Sequence, residues 1–253
     1  MTDTPAPQLQ RFRQEPKRRI LTVRSVRHLT PAMIRVVLGG EDLADFQSLA
    51  PDDHVKLLLG PETDGAQPQM RDYTPRRFDA LRRELTLDFV DHPGGPAADW
   101  ARAAQPGDSV GIGGPRGSAV ITGPITHWLL IGDETALPAI GRRIEELAAG
   151  TPVTSLVAVP SEADRQEFET AARHQALWVT RPAAQAADPA PLLAALAGIA
   201  PGAGLFAWIA AEAGVAKALR AALLARGMSP AWIKAAGYWV QGQADTSVKS
   251  LAD

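Results

Sequence analysis

The chain has 253 residues, with 26 Lys plus Arg against 28 Asp plus Glu, a formal charge of −2. That balance argues against nucleic acid as the main partner, because phosphate neutralisation needs a basic excess, and the 45% hydrophobic and 21% charged content excludes wholesale disorder. No cysteine is present, so disulfides, thiolate nucleophiles and Cys-ligated clusters are impossible, and the five histidines contain no His-x-x-x-His pair that would suggest a metal cage.

The first twenty residues are polar, with Arg11, Arg13, Lys17, Arg18 and Arg19, and lack the apolar core of a signal peptide. No run is long enough for a membrane span. A cytoplasmic chain is expected, its basic start read as a solvated arm leading into the first strand. From about Arg19 to Thr122 the pattern is of short strands. Ile20–Val23, Met33–Leu38 and Val55–Leu59 are rich in aliphatic residues and are closed by Gly39-Gly40 and Gly60-Pro61. Glu84–Val90 alternates polar and apolar, as a half-buried strand should. Ser109–Ile112 and Ala119–Ile121 complete a set that suggests a small antiparallel β-barrel, interrupted by one helix from Pro96 to Ala104.

Beyond about Pro124 strands and helices alternate. Trp128–Ile131, Val153–Val159, Leu177–Val179, Leu205–Ala210 and Tyr238–Val240 read as strands, and Leu137–Ala149, Pro191–Ala197 and Gly214–Arg226 as helices. That order implies a parallel sheet covered on both faces. Two domains are expected, residues 1–123 and 124–253, with a flexible tail after Gly242.

The most informative stretch is Arg71-Asp72-Tyr73-Thr74-Pro75-Arg76. Strand alternation puts Arg71 and Tyr73 on one face and Asp72 and Thr74 on the other. An aromatic ring beside a hydroxyl and two guanidinium groups suits a flat, phosphate-bearing ligand. An exposed strand edge with solvated charges has the same local signature.

The Arg-x-Tyr-Thr-x-Arg pattern resembles the flavin signature of the ferredoxin–NADP reductase superfamily, and its setting is similar to the siderophore-interacting branch. Further segments match in order: Asp53–Leu57, Asp91-His92 with Gly94-Gly95-Pro96-Ala97 and Trp100, Pro106-Gly107-Asp108, Gly114–Gly117, Gly132–Ile140, Trp208–Ala213 and Gly237-Tyr238-Trp239. The resemblance implies FAD on the barrel, NADPH or NADH on the second domain, and reduction of ferric siderophores. It implies that Tyr73 stacks on the isoalloxazine, Thr74 bonds near its N5, and Arg71 holds the pyrophosphate, with Arg76 among the cofactor-binding residues. Asp91, His92, Gly94, Gly95, Pro96 and Ala97 would form the phosphate-binding helix start, and Gly114 and Arg116 a close backbone approach to the cofactor. Gly132, Asp133, Thr135, Ala136, Glu212 and Trp239 would line the nucleotide crevice, with backbone amides and Thr135 doing most of the phosphate binding. Lys56, Arg76 and Arg116 would form a basic rim for the siderophore. The flavin carries the chemistry, so no side-chain acid or base is expected.

Four positions depart from the family pattern. Ala98 stands where a phosphate-binding Ser or Thr is usual, and Ala211 where glycine flanks the nicotinamide. Val240 and Gln241 replace basic residues after the terminal Tyr-Trp. A monomer, with a ferredoxin-type protein as the other conceivable donor, completes the expectation. The rival readings are a general flavin or electron-transfer reductase with another acceptor, and a non-catalytic siderophore-binding module.

Overall fold

The computed structural model describes residues 5–60, 68–248 and 251; Pro61, expected to close a strand, lies outside them. The chain divides into two compact units, Gln10–Val120, and Met1–Leu9 together with Ile121–Asp253. The division falls just ahead of the expected boundary, and the first residues go with the second unit. The cause is a ribbon absent from the sequence reading, in which β1 (Gln8–Arg13) pairs with β9 (Gly117–Thr122). Every residue of β1 is exposed. Its sequence therefore carries no apolar alternation, and only pairing to β9 makes it a strand.

The N-terminal unit holds β2 (Arg18–Thr30), β3 (Met33–Gly39), β4 (Val55–Leu59), β5 (Gln69–Tyr73), β6 (Arg77–Asp79), β7 (Glu84–Val90), α1 (Pro96–Ala103) and β8 (Ser109–Gly113). Its seven strands run in the order β5-β4-β8-β2-β3-β7-β6, every neighbour antiparallel. That order is open-ended, yet Tyr73 on the edge strand β5 packs its ring 4.2 Å from Phe89 on β7. The sheet therefore curls into a barrel around one core that includes Leu21, Val36, Leu57, Leu87 and Phe89. The expectation of a half-buried β7 is corrected, since Thr86 and Asp88 are buried as well. Asp88 tolerates burial because Arg35 grips both its oxygens at 2.7 Å.

The C-terminal unit holds β10 (His127–Gly132), α2 (Leu137–Glu146), β11 (Pro152–Val159), β12 (Arg173–Thr180), α3 (Ala190–Ala197), β13 (Leu205–Glu212), α4 (Ala213–Ala225) and β14 (Ile233–Trp239). The strands form a parallel sheet in the order β12-β11-β10-β13-β14. The order reverses direction between β10 and β13, so a crevice opens beyond their carboxyl ends. β13 runs through Ala211 to Glu212, past its expected end. Its residues Leu205, Ala207, Ile209 and Ala211 share a core with Val215 and Leu219 of α4. The tail is not loose as far as it is described. Val248 exchanges hydrogen bonds with Gly237 at 2.8 and 2.9 Å, and the Leu251 amide donates to the Ala235 carbonyl.

Candidate functional site

In the N-terminal unit, β4 and β5 pair in the register Val55↔Tyr73, Lys56↔Asp72 and Leu57↔Arg71. Facing residues in an antiparallel pair point to the same side, so Arg71 and Tyr73 share the face of Val55 and Leu57. Tyr73 is half-buried against Phe89, which in turn packs 5.5 Å from Trp100 of α1. This aromatic run contributes about 0.5–1.5 kcal/mol per pair beyond area burial, and it brings the Arg71–Tyr73 strand and α1 to one place. Burial pushes the Tyr73 phenol well up, with Arg71 pulling it partly down, so the hydroxyl stays protonated as a donor. Arg71 is partly exposed and its guanidinium donates to the neighbouring Met70 carbonyl at 2.8 Å. Thr74, just past the strand, is buried.

α1 starts with Pro96 at its first position and Gly95 as N-cap, and no side chain caps it. Gly94 has φ +77°, and a Cβ there would meet open space. A Cβ on Gly95 would come within 2.4 Å of the His92 ring, so glycine is what lets that exposed ring lie over the helix start. Uncapped amides and the positive end of the helix dipole suit a phosphate. Ala97 and Ala98 are buried in the first turn. Asp91 accepts a 2.6 Å bond from Arg102 of α1, so it braces the helix against the end of β7. These features fit a flat, pyrophosphate-bearing cofactor.

The Gly114–Gly117 loop is anchored by two residues that sequence reasoning missed. Buried Arg19 donates to the Gly114 carbonyl at 2.8 Å, to the Asp42 carbonyl at 2.9 Å and to Asp45 at 3.0 Å. Buried Asp53 accepts from the Ser118 hydroxyl at 2.6 Å, the Ser48 hydroxyl at 3.0 Å and the Ala50 amide at 3.1 Å. Burial pushes the Asp53 carboxyl up, partly offset by those donors. Arg19 lies outside any local motif, and Asp53 opens the matched Asp53–Leu57 segment without a role being assigned to it. Gly114 takes φ +93°, where glycine is favoured.

The expected basic rim is not assembled as predicted. Arg76 is 5% exposed and lies 3.8 Å from Asp88, held inward by that buried carboxylate. Lys56 stands on the opposite face from Tyr73 and pairs with Asp72 at 3.0 Å. Arg116 alone is plainly exposed.

In the C-terminal unit, Asp133 is 1% exposed and its carboxylate receives four bonds. One oxygen takes the Thr135 amide at 2.9 Å and the Thr135 hydroxyl at 2.5 Å. The other takes the Glu212 amide and the Trp239 indole N–H, both at 2.9 Å. Asp133 thus ties the ends of β10, β13 and β14 together. Glu212 caps α4 through the Gly214 amide at 2.6 Å and the Val215 amide at 3.1 Å, and also accepts from the Gln241 amide at 3.3 Å. This corrects the leading phosphate-binding role given to Thr135, because both its donors are spent on Asp133. Gly132 serves packing, since a Cβ would lie 2.6 Å from both the Ala136 Cβ and the Ala210 carbonyl. Ala136 is the N-cap of α2, which no side chain caps, so the Leu137 and Ala139 amides on either side of Pro138 are the first-turn donors left for a phosphate. Glu134 pairs with buried Arg181 at 2.8 Å; burial and the Asp133 charge push its carboxyl up while Arg181 pulls it down. Internal pairing thus takes up the charge that Asp133-Glu134 would otherwise turn against a phosphate. Ala211, which stands where glycine is usual in the family, is 0% exposed, and its methyl packs within the core.

Residues 125–242 match the family described as siderophore-interacting protein, and residues 22–67 and 62–119 match the siderophore-interacting FAD-binding domain. The chain is 36% identical to the NADPH-dependent ferric-chelate reductase of Escherichia coli (strain K12), over 91% of this chain and 96% of that protein. It is 27% identical to the ferric vibriobactin reductase ViuB of Vibrio cholerae, over 66% of this chain and 68% of the relative. Among solved structures, a siderophore utilization protein from T. fusca superposes with a TM-score of 0.83 at 36% identity, covering 95% of this chain and 98% of the other. With an antiparallel flavin-type barrel, a parallel nucleotide-type sheet and matches along nearly the whole length, the chain belongs to the siderophore-interacting protein family.

Proposed function

We propose that this chain is a flavin-dependent reductase of ferric siderophores, passing electrons from a nicotinamide nucleotide through FAD to Fe(III) and releasing Fe(II). The observation that carries the reading is the convergence of the Arg71–Tyr73 strand on the uncapped start of α1, through the Tyr73–Phe89–Trp100 rings. Bound FAD supplies the exchange between a two-electron donor and one-electron acceptors. The protein's part is to hold and orient it. Tyr73 offers a ring face and a protonated hydroxyl, Arg71 a guanidinium for the pyrophosphate, and Gly94, Gly95 and Ala97 the amides around a helix start. Asp91 and Arg19 hold that helix and the Gly114 loop in place. The nucleotide lies at the switch point of the C-terminal sheet, against the start of α2. Iron(II) carries less charge than iron(III), so hard oxygen ligands hold it less firmly and release follows reduction.

The N-terminal unit is the FAD domain and the C-terminal unit the nucleotide domain in this reading. The protein works in the cytoplasm as a monomer, with a ferredoxin-type donor as the substitute if nucleotides fail. Among the described residues no helix is long and apolar enough to cross a membrane. Arg76 facing inward and Lys56 paired with Asp72 favour a siderophore of low negative charge. The test is to purify the protein with its flavin, reduce it anaerobically and mix it with several ferric chelates and an Fe(II)-trapping dye. Flavin reoxidation matched by Fe(II) is expected. A flavin that reoxidises only with oxygen would point to another acceptor, and a colourless protein to a binding module.

A further inference from the structure

The edge of the parallel sheet bears on which nicotinamide nucleotide is the donor. In open α/β sheets the adenosine ribose meets the residues after the second strand of the βαβ unit. A carboxylate there suits a free 2′-hydroxyl and a guanidinium suits a 2′-phosphate. Here β10, α2 and β11 form that unit. Ser161, Glu162, Asp164 and Arg165 follow β11, while Thr180 ends the neighbouring β12 and Arg181 follows it.

Four of these side chains could donate to a phosphate, and each donates to a carboxylate instead. The Ser161 hydroxyl bonds Asp164 at 2.6 Å, and the Arg165 guanidinium bonds Glu162 at 2.6 Å. The Thr180 hydroxyl bonds the same Glu162 oxygen at 2.5 Å, and Arg181 bonds Glu134 at 2.8 Å. Three carboxylates face two guanidiniums, a formal excess of one negative charge. Arg181 is 3% exposed and too deep to reach a ligand, and Asp164 is buried. Glu162 is different. Its side chain is 65% exposed, and Thr180 and Arg165 steady it from two elements. A carboxylate has about four acceptor sites, so Glu162 keeps capacity for ribose hydroxyls. A 2′-phosphate would meet that charge at close range; Arg165 has N–H donors left to offer it, but its positive charge is already shared with Glu162.

We propose that Glu162 makes this edge select a dinucleotide with an unphosphorylated adenosine ribose, NADH over NADPH; this rests on the reading that the C-terminal unit binds the donor nucleotide. The preference is opposite to the one in the name of the Escherichia coli relative. The Glu162–Arg165 pair is exposed and therefore weak, so the discrimination is moderate, about tenfold.

The experiment titrates the full-length, FAD-loaded protein with ADP-ribose and with 2′-phospho-ADP-ribose by calorimetry, in phosphate-free buffer at low salt. ADP-ribose is expected to bind about tenfold tighter, and Glu162→Gln to narrow the ratio by roughly threefold, chiefly by tightening the 2′-phosphorylated ligand. Retained flavin absorbance shows that the variant is folded, and anaerobic flavin reduction by NADH and NADPH should follow the same ratio. Equal or tighter binding of 2′-phospho-ADP-ribose by the parent, or an unchanged ratio in Glu162→Gln, overturns the inference and leaves the nucleotide site standing. If neither ligand binds and neither nucleotide reduces the flavin, the nucleotide reading itself falls and takes the inference with it.

Discussion

Two helix starts in this molecule handle the same problem in opposite ways. α4 follows β13 directly, and Glu212 accepts from the Gly214 and Val215 amides, so its first turn is satisfied from within. α1 begins at Gly95-Pro96 with no side-chain cap. The difference extends to the surroundings. Around α4 the carboxylates of Asp133 and Glu212 absorb amides, a hydroxyl and an indole from three strand ends. Around α1 Gly94 is open, Arg71 is partly exposed and the His92 ring lies over the helix start at Gly95. A region that meets its own hydrogen-bonding needs makes scaffold, and a region that leaves donors outward makes a binding site.

The comparison breaks most visibly at Asp133. Leaving a buried donor without its acceptor costs about 1–3 kcal/mol, and Asp133 serves one fully buried donor, the Glu212 amide, and three partly buried ones. Asp133→Ala is expected to destabilise the protein by at least about 3 kcal/mol in denaturant unfolding, read as an earlier transition. FAD affinity in the still-folded variant should match the parent, and a large loss of flavin would mean the scaffold role is wrongly confined.

Arg71→Ala should do the reverse. Lost charge-assisted bonds worth about 1.5–3 kcal/mol predict FAD affinity roughly ten- to hundredfold weaker, with the unfolding midpoint unmoved. Flavin titration followed by fluorescence quenching decides it, and unchanged retention would remove Arg71 from the site. Removing the α4 cap is a milder test of the same contrast: Glu212→Ala should cost about 0.5–2 kcal/mol of stability. An equivalent change on the uncapped α1, Asp99→Ala, removes no cap and should leave stability nearly level.

Ala211→Gly sharpens the point further. Because the methyl is buried in the core, the variant should lose about 0.5–1 kcal/mol of stability and leave the rate of flavin reduction by nucleotide unchanged. A faster reduction in stopped flow would place that methyl at the nicotinamide after all. The smallest effect is a pH dependence at Asp53. Its folded carboxyl is raised by burial, so its contribution to stability is fully present below the ordinary aspartate range and fades as pH rises through the raised value. Relative to Asp53→Asn, the parent should lose stability across that window. A parent that instead gains stability there would show that the Ser48, Ala50 and Ser118 bonds outweigh burial.

Much of the fold was legible because local patterns and burial agree. The apolar runs at Val55–Leu59 and Trp128–Ile131 became strands within a residue of their reading, and Pro96 began its helix as expected. β1 was invisible because a fully exposed, polar strand has no periodic signature. β7 was misjudged because Asp88 looked like a solvent-facing residue until Arg35 came across from β3 to meet it. The candidate flavin residues were legible as a motif, whereas the anchoring roles of Arg19 and Asp53 were not, since each acts on partners far along the chain.

The sequence by itself determined the two-domain division, the change from antiparallel to parallel architecture, and the family, because these rest on periodicity and ordered motifs. Tertiary structure alone decided which polar groups face outward. Asp133, Thr135, Glu212 and Arg76 read as ligand-facing residues, and all four turned to partners within the protein. The physical reason is that a charged side chain's role depends on what satisfies it. A buried carboxylate collects whatever donors the packing supplies, and those donors come from strand ends up to 106 residues away, as with Trp239 and Asp133.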